Sequence, residues 1–406
     1  MSVVRIMEGI RVLEVASWTY VPAAGAVLAE WGADVIKIEH PDTGDPQRGL
    51  VNSGLVPSGP GGVNHMIELP NRGKRSVAID LKSEQGRQLL LKIAATSDVF
   101  LTSFLPDVRK SLGIDVEDMR AANPDIIYVR GSGQGPKGPE AARGGFDGCS
   151  FWARAVADII TRDEEWPAPP PGPAFGDLLG GMTIAGGICA ALFHRQRTGE
   201  ALVVDNSLLS TAMWATSASV LAAGLFGVSK LPRGDRALSP NPLVNTYRTG
   251  DGRYLSLMML QGDRFWPELV TAIGHPELVE DPRFADGASR FQNRKECVGI
   301  LDEIFATKTF EEWRAILAGV EGVWSPVQTS GELLEDPQAL ANGYVREVQH
   351  RGGTTFRMVP SPLQFNETPP DLVAAPDHGE HTDEVLTELG LDMDEILDLK
   401  VKGAIL

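Results

Sequence analysis

A single carboxylate, Asp177, stands between a proline-rich run (residues 167–173) and a long apolar stretch, with Gly176, Gly180 and Gly181 around it. Asp often opens a helix, because its side chain can accept hydrogen bonds from the unpaired N–H groups there. Those groups and the helix dipole would keep the carboxylate ionised, and the glycines would let a ligand approach. We therefore predict that Asp177 caps a helix and is a candidate nucleophile.

Composition limits the classes of partner. The chain has 406 residues, 43% of them hydrophobic, and a net charge of −17, which argues against nucleic acid or an acidic membrane. An anionic small molecule would need only a local basic cluster. Three cysteines without metal-ligand spacing indicate a reducing compartment and no metal site. With charges near the N-terminus and no uninterrupted apolar span, we expect a cytoplasmic protein without a membrane partner.

The first half of the chain alternates between strand and helix patterns. Short apolar runs predict strands at residues 11–15, 34–39, 76–81, 99–102, 126–129 and 201–205. Intervening helices indicate an α/β protein with a parallel, Rossmann-like sheet. No G-x-G-x-x-G follows the first strand and no P-loop occurs in the chain, so a ligand must be held in another way.

The pattern changes near Lys230, where prolines mark a linker. We predict a large domain from residues 1–228, a smaller α+β domain from 229–325, and a C-terminal segment, 326–406, that returns to the large domain. A long apolar helix is predicted from Ser207 to Gly224, buried against a second subunit.

Two loops could bind an anionic ligand. The first carries three cations, Arg72, Lys74 and Arg75, and is either a phosphate site or a solvated surface. The second, at residues 131–136 and 144–147, is rich in glycine and follows the strand at 126–129. Ligands of open α/β sheets bind at such strand ends.

The chain resembles the class III CoA-transferases, a family related to the α-methylacyl-CoA racemases. The resemblance rests on an ordered set of short segments along nearly the whole length: residues 8–13, 32–39 with 41, 44–45 and 48, 71 with 74–76 and 80–82, 98–99 with 104 and 106, 145–147, 176–177, and 247 with 251–252. It implies a Rossmann-like large domain, a smaller α+β domain and an interlinked homodimer.

The resemblance also implies a mechanism. Asp177 matches the family's catalytic aspartate, which attacks an acyl-CoA thioester and exchanges coenzyme A with a carboxylic acid. Coenzyme A and acyl-CoA are then substrates, and no cofactor is permanently bound. Asp147 would position the intermediate or cap a loop. The implied CoA contacts fall on these positions: Ser17, His40, Arg72, Lys74, Arg75, Ser103, Phe104 and Arg143.

Two alternatives remain open. A racemase of this family pairs the aspartate with a histidine, whose position here is Phe146, a residue that cannot carry a proton. A CoA-binding protein without catalysis is the other alternative. Four aromatic residues line an acyl pocket or belong to the core: Trp18, Tyr20, Phe151 and Trp152.

Overall fold

The computed structural model of the protein describes residues 4–161, 166–232 and 234–406. The chain divides into two compact units, one of residues 1–231 with 337–406 and the other of residues 232–336. The chain returns to the first unit later than residue 326, the predicted boundary. The cause is the strand Trp324–Pro326, which pairs with Tyr254–Met258 of the smaller unit.

The large unit is built on a six-stranded parallel sheet with the order β3-β2-β1-β4-β5-β6. Its strands are β1 Arg11–Val15, β2 Asp34–Glu39, β3 Arg75–Ala78, β4 Val99–Thr102, β5 Ile127–Ser132 and β6 Val203–Ser207. This is the strand order of the Rossmann fold. The sequence-based bounds of β1, β2 and β4 are confirmed without change, and every residue of these strands is buried except the first of β1 and of β2.

Helices cover both faces of the sheet, with one core cluster on each. Those of the first half are α1 Tyr20–Glu30, α2 Arg48–Asn52, α3 His65–Asn71, α4 Glu84–Ala95, α5 Pro106–Leu112, α6 Val116–Ala122 and α7 Ala157–Ile160. The next are α8 Phe175–Thr198, α9 Leu208–Ala215 and α10 Ser217–Phe226. A π-helical turn, Asp147–Ala153, precedes α7.

Length and composition alone would allow α8 to cross a membrane, and the bent pair α9–α10 passes the same test. In the structure, Ile184, Ala185 and Ile188 of α8 belong to a core cluster that also includes Val21 and Ala24 of α1. One face of α8 therefore packs in the core of the large unit.

The single helix expected from Ser207 to Gly224 is instead two helices, α9 and α10, which meet at a bend of 70°. Thr216 lies at the break, and its hydroxyl donates to the carbonyl of Ala212 at 2.9 Å. Such back-bonding by Thr bends helices. Within one chain, Leu208, Thr211 and Ala212 of α9 are buried, but no residue of α10 is.

The smaller unit combines a three-stranded antiparallel sheet with helices around its own core. Its elements are β7 Val244–Arg248, β8 Tyr254–Met258, α11 Gly262–Ala272, α12 Gly287–Gln292, α13 Arg294–Phe305, α14 Phe310–Leu317, β9 Trp324–Pro326 and α15 Ser330–Leu333. The hairpin predicted around Asp251 and Gly252 joins β7 to β8, and Gly252 has the positive φ of 82° that this turn needs.

The C-terminal segment completes the large unit with α16 Pro337–Ala341, β10 Arg346–Gln349, β11 Thr355–Met358, α17 Thr382–Glu388 and α18 Met393–Val401. Val385, Leu386 and Ile396 pack into the core cluster on one face of the parallel sheet. All three cysteines are free. Within the described ranges, no group of three His, Cys, Asp or Glu side chains is placed to hold a metal ion.

Candidate active site

The candidate site lies at the carboxyl ends of β1 and β4, which are neighbours in the sheet. The chain continues from β1 to β2 and from β4 to β5, and β2 and β5 lie on opposite sides of this pair. Such a point opens a crevice at the carboxyl ends of the strands. Ser17 follows β1 and Ser103 follows β4, and the N–H of Ser17 donates to the hydroxyl of Ser103 at 3.1 Å. Two of the predicted CoA contacts therefore meet at this crevice.

Two adjoining cavities form a groove along the crevice. One has a volume of about 520 Å³ and reaches His40, Asp80 and Lys82. The other has a volume of about 370 Å³ and contains Asp177. Both are lined by the same four residues, Ser17, Pro46, Phe104 and Val108. An elongated ligand could therefore extend from the basic side chain of Lys82 to the carboxylate of Asp177.

Asp177 lies in the first turn of α8, but it does not cap the helix. The helix begins at Phe175, and the preceding residue, Ala174, has a left-handed φ of 63° and makes no side-chain cap. The expectation that Asp177 caps its helix is therefore wrong. The cap comes from a residue distant in sequence, since Oδ1 of Asp147 accepts the N–H of Gly176 at 3.0 Å. A carboxylate at this position also suits the positive end of the helix dipole.

The position of Asp147 favours the capping role over contact with a ligand. It begins the π-helical turn and is only 8% exposed. Burial raises the pKa of its carboxyl, while hydrogen bonds from the N–H groups of Gly176 and Phe175 lower it in part. Asp147 is not among the described residues that line the cavity at Asp177. Its carboxylate instead accepts the N–H of Gly176 at the start of α8.

The carboxyl of Asp177 is electrostatically unusual. Burial, and then the charge of Asp147, raise its pKa to about 7. The expectation that free N–H groups hold it ionised is therefore wrong, because Asp147 accepts the N–H of Gly176. A carboxylate with little solvation and a raised pKa is more basic than an ordinary one, which favours nucleophilic attack.

The glycines after Asp177 make room for α1 and not for a ligand. A Cβ on Gly181 would lie 2.6 Å from the Cβ of Ala23, and one on Gly180 would overlap the ring of Tyr20. The helices α1 and α8 can therefore approach closely. Residues three and four positions apart share a helix face, so Asp177 lies on the same face of α8 as Gly180 and Gly181. This packing therefore brings Asp177 next to Tyr20.

Tyr20 lines the cavity beside Asp177. Its hydroxyl donates to Oδ1 of Asn206. Burial and the nearby charge of Asp177 raise the pKa of Tyr20 far above its ordinary value. The phenol therefore stays protonated and is not a base at neutral pH.

Trp18 and Phe146 form an aromatic wall of the same cavity. Their rings meet edge to face with centroids 5.5 Å apart. Trp18 has a φ of 70°, which is strained for a bulky residue. Its N–H donates to Oδ1 of Asp45 at 3.3 Å, and Asp45 pairs with buried Lys37 at 2.9 Å. A buried ion pair thus fixes the backbone that carries this wall.

Phe151 and Trp152, the other two aromatic residues considered for an acyl pocket, belong to the interior. Both are buried, and both rings pack against Phe175 at centroid distances of 6.2 Å. Neither is among the described residues that line the cavity at Asp177.

The predicted CoA contacts divide into two sets. Ser17, His40, Ser103 and Phe104 line the groove. The cations do not: among the described lining residues of either cavity, Arg72, Lys74, Arg75 and Arg143 are absent. The structure gives each of them a carboxylate partner within the protein, as follows: Arg72 with Glu30, Lys74 with Glu14, Arg75 with Asp34, and Arg143 with Glu140.

Lys74 shows why the basic loop turns inward. Its ammonium is fully buried between both oxygens of Glu14, at 2.7 and 2.8 Å, and the carbonyl of Pro22 at 2.8 Å. Burial lowers its pKa to about 7 in spite of the pairing with Glu14. The alternative of a solvated surface loop does not describe it either.

One basic residue of the groove, Lys82, was not predicted as a binding residue from the sequence. Lys82 lies two positions beyond Asp80, in a turn that Asp80 closes by accepting the N–H of Lys82 at 2.9 Å. The segment 80–82 was already part of the family pattern, so the pattern contained a signal for it. Tyr20 and the glycine loops at 131–133 and 144–145, which the sequence did suggest, line the cavity at Asp177.

The large unit thus combines parallel strands in Rossmann order with a groove at the switch point and, in that groove, an aspartate of raised pKa. The chain belongs to the CoA-transferase family III, whose sequence profile matches residues 7–382.

Named relatives extend over nearly the whole chain. A cinnamoyl-CoA:phenyllactate CoA-transferase of Clostridium sporogenes is 32% identical over 97% of this chain and 96% of its own. An α-methylacyl-CoA racemase of Mus musculus is also 32% identical, over 97% and 96%. The crystal structure of a CaiB/BaiF family protein from Brucella suis matches with a TM-score of 0.81 and 27% identity, over 94% and 99%.

Proposed function

We propose that the protein is an acyl-CoA:carboxylate CoA-transferase in which Asp177 is the nucleophile. The observation that carries the proposal is the position of Asp177, which is the one charged group among the described residues that line the 370 Å³ cavity. Its pKa near 7 gives a carboxylate that is ionised for a large fraction of the molecules at neutral pH.

The proposed reaction proceeds through two kinds of covalent intermediate. The Asp177 carboxylate attacks the thioester carbonyl of the donor and releases CoA thiolate, which leaves a mixed anhydride. The thiolate then attacks the aspartyl carbonyl, which gives an aspartyl-CoA thioester and the free donor acid. The acceptor carboxylate repeats these two steps in reverse and restores Asp177.

The groove suits this sequence because the thiolate must stay bound between the steps. Ser17, Ser103 and Phe104 lie at the cavity of Asp177, and Ser17 and Phe104 continue into the larger cavity with His40 and Lys82. We propose that the nucleotide part of CoA occupies the larger cavity, with Lys82 near a phosphate. The N–H groups of the glycine loops at 131–133 and 144–145 are candidate donors to the oxyanion.

Racemisation is the alternative, because the racemase and the cinnamoyl-CoA:phenyllactate CoA-transferase have the same sequence identity to this chain. It needs a second proton carrier across from Asp177. Phe146 lines the cavity there, and Tyr20 is the other titratable group among the described lining residues. Because Tyr20 stays protonated at neutral pH, it does not supply the missing base.

Covalent trapping tests the proposal. The protein is incubated with acyl-CoA and hydroxylamine, and the peptide that contains Asp177 is examined by mass spectrometry for a hydroxamate. We expect the label at Asp177, and a loss of transfer of roughly 10³-fold or more in Asp177→Ala. Asp125→Ala, which removes an exposed carboxylate, is the matched control.

Three other results would contradict the proposal. Full transfer activity in Asp177→Ala would exclude the nucleophilic role. Exchange of the α-proton with deuterated solvent, without any acceptor acid, would indicate a racemase. Binding of CoA without turnover over a broad panel of acids would indicate a protein that only binds CoA.

A further inference from the structure

The walls of the cavity at Asp177 are nearly free of charge. Its larger side chains are aromatic or aliphatic: Trp18, Tyr20, Phe104, Leu105, Val108, Phe146 and Leu208. The remaining lining groups are small: serines, glycines and one proline. Within the described part of the chain, no Lys, Arg or His lines this cavity. A group that sits there beside the Asp177 carbonyl therefore meets mainly apolar side chains and no cation.

Besides the larger cavity with Lys82, one further neighbouring cavity contains cations. A cavity of about 60 Å³ shares Phe104, Leu105, Gly131 and Ser132 with the cavity at Asp177 and is lined by Arg109 and Arg130. It has room for only a water molecule or two.

Both guanidinium groups of this small cavity already have partners. Arg109 pairs with Asp115 at 3.2 Å, and Arg130 pairs with Asp205 through two contacts of 2.7 and 2.9 Å. Neither guanidinium group is free to neutralise a carboxylate in the cavity at Asp177.

From these walls we propose that the cavity at Asp177 selects acyl groups with an apolar body and rejects those that carry a second carboxylate. The inference rests on the proposed function and names its substrate class. A second carboxylate would lose its hydration without gaining a cation, and Asp177 would repel it. A cavity of 370 Å³ lies within the range of about 300–1,000 Å³ that small-molecule sites have.

The same selection applies to both acids of the exchange. In the proposed mechanism, donor and acceptor acyl groups occupy the position next to Asp177 in turn, as successive anhydrides. One set of walls therefore screens both, and the preferred exchange takes place between two apolar monocarboxylates. A dicarboxylate is excluded equally as donor and as acceptor.

A matched pair of acyl-CoA probes tests this selection. Glutaryl-CoA ends in a carboxylate, and 5-methylhexanoyl-CoA replaces that group with an isopropyl group of nearly the same shape. Each of these probes, and 3-phenylpropanoyl-CoA, reacts with the protein in a separate reaction at the same concentration, and the rate at which hydroxylamine forms the hydroxamate at Asp177 is measured by mass spectrometry. We expect both apolar probes to acylate Asp177 at least about 100-fold faster than glutaryl-CoA.

Variants at the aromatic wall locate the selection. Phe146 is 61% exposed, so a polar substitution there is tolerated by the fold. Phe146→Lys places a cation at the cavity, and we expect it to raise acylation by glutaryl-CoA about tenfold or more relative to 5-methylhexanoyl-CoA. Phe193→Lys is the control: Phe193 is 59% exposed, on α8, and is not one of the described lining residues.

The outcomes separate this inference from the proposed function. If glutaryl-CoA acylates Asp177 as fast as the apolar probes, the inference is overturned while the nucleophilic role of Asp177 stands. If Phe146→Lys leaves the ratio of the two matched probes unchanged, the walls of this cavity do not set the selection. If no acyl-CoA acylates Asp177, both proposals are overturned.

Discussion

The nucleophilic role that we propose for Asp177 combines two requirements that conflict in water. A carboxylate must be ionised to attack a thioester, but a strongly solvated carboxylate is a weak nucleophile. In the structure its pKa is raised to about 7 by burial and by Asp147, so the ionised form is more basic and still accessible near neutral pH. We interpret the capping of α8 by Asp147 as part of this arrangement, because it removes a hydrogen-bond donor from Asp177.

This arrangement predicts how the rate of acylation depends on pH. The attack needs the ionised carboxylate, and the protonated form is favoured below a pKa of about 7. Single-turnover acylation of Asp177 should therefore decrease as the pH falls, with a midpoint near 7. Mass spectrometry of the trapped enzyme between about pH 5 and about pH 9 measures it. A midpoint near the ordinary value for Asp, about 4, would contradict the prediction.

Asp147→Asn is the matched variant for this pH profile. The asparagine carbonyl can still accept the N–H of Gly176, but the charge that raises the pKa of Asp177 is gone. We expect the midpoint to move to a lower pH without reaching the ordinary value, since burial, the larger cause, remains. A melting curve controls for loss of the cap, which would cost about 1 kcal/mol of stability.

At the scale of elements, the close contact between α1 and α8 fixes the position of Asp177 in its cavity. Gly181→Ala would force a methyl group to within 2.6 Å of Ala23 and 3.1 Å of the backbone at Tyr20 and Ala24. We expect a loss of about 1–3 kcal/mol in the free energy of unfolding and a lower rate of acylation, because α8 must move. Denaturant titration and single-turnover kinetics measure the two effects.

Gly186→Ala is the control on the same helix. Nothing lies within 4 Å of the Cβ it would add, and alanine is the better helix former. This variant should be more stable than the native protein by up to about 1 kcal/mol and should keep its activity. If both variants lost stability equally, the loss would come from the helix itself and not from its contact with α1.

The same elements show what the sequence could and could not predict. Apolar runs located β1, β2 and β4 to the residue, because buried parallel strands carry a local signal. The cap of α8 had no local signal, since Asp147 is 29 positions from its partner Gly176. Composition alone likewise suggested that Gly180 serves a ligand, although the structure packs it against the ring of Tyr20.

For the whole molecule, the net charge of −17 did not indicate where the cations lie. The basic loop suggested a phosphate site, but Lys74 meets Glu14, 60 positions away, inside the fold. Arg75 reaches Asp34 and, near the C-terminus, Glu388. Pairings at such separations depend on the tertiary arrangement. Residues 80–82, which belong to the family pattern, line the groove, whereas the cations of the basic loop do not.

The helices α9 and α10 carry a set of exposed apolar side chains. Six side chains there are between 47% and 81% exposed: Met213, Trp214, Val220, Leu221, Leu225 and Phe226. A monomeric protein rarely leaves so many neighbouring apolar groups in water. In line with the interlinked homodimer that the family resemblance implies, we propose that a second copy of the chain covers this surface.

The proposed dimer is tested by its mass and by the rate at which its subunits exchange. We expect the native protein to have the mass of a dimer in light scattering. If the subunits are interlinked, dilution should not dissociate the dimer, and tagged subunits should exchange only as fast as the chain unfolds, because two linked chains can separate only after one of them unfolds.

Trp214→Glu with Leu225→Glu should weaken assembly, since each places a carboxylate on an apolar interface. Val401→Glu, at a side chain 87% exposed on α18, is the control and should remain dimeric. A native protein that is monomeric at every concentration would contradict the dimer, and rapid exchange of subunits would contradict the interlinked form alone.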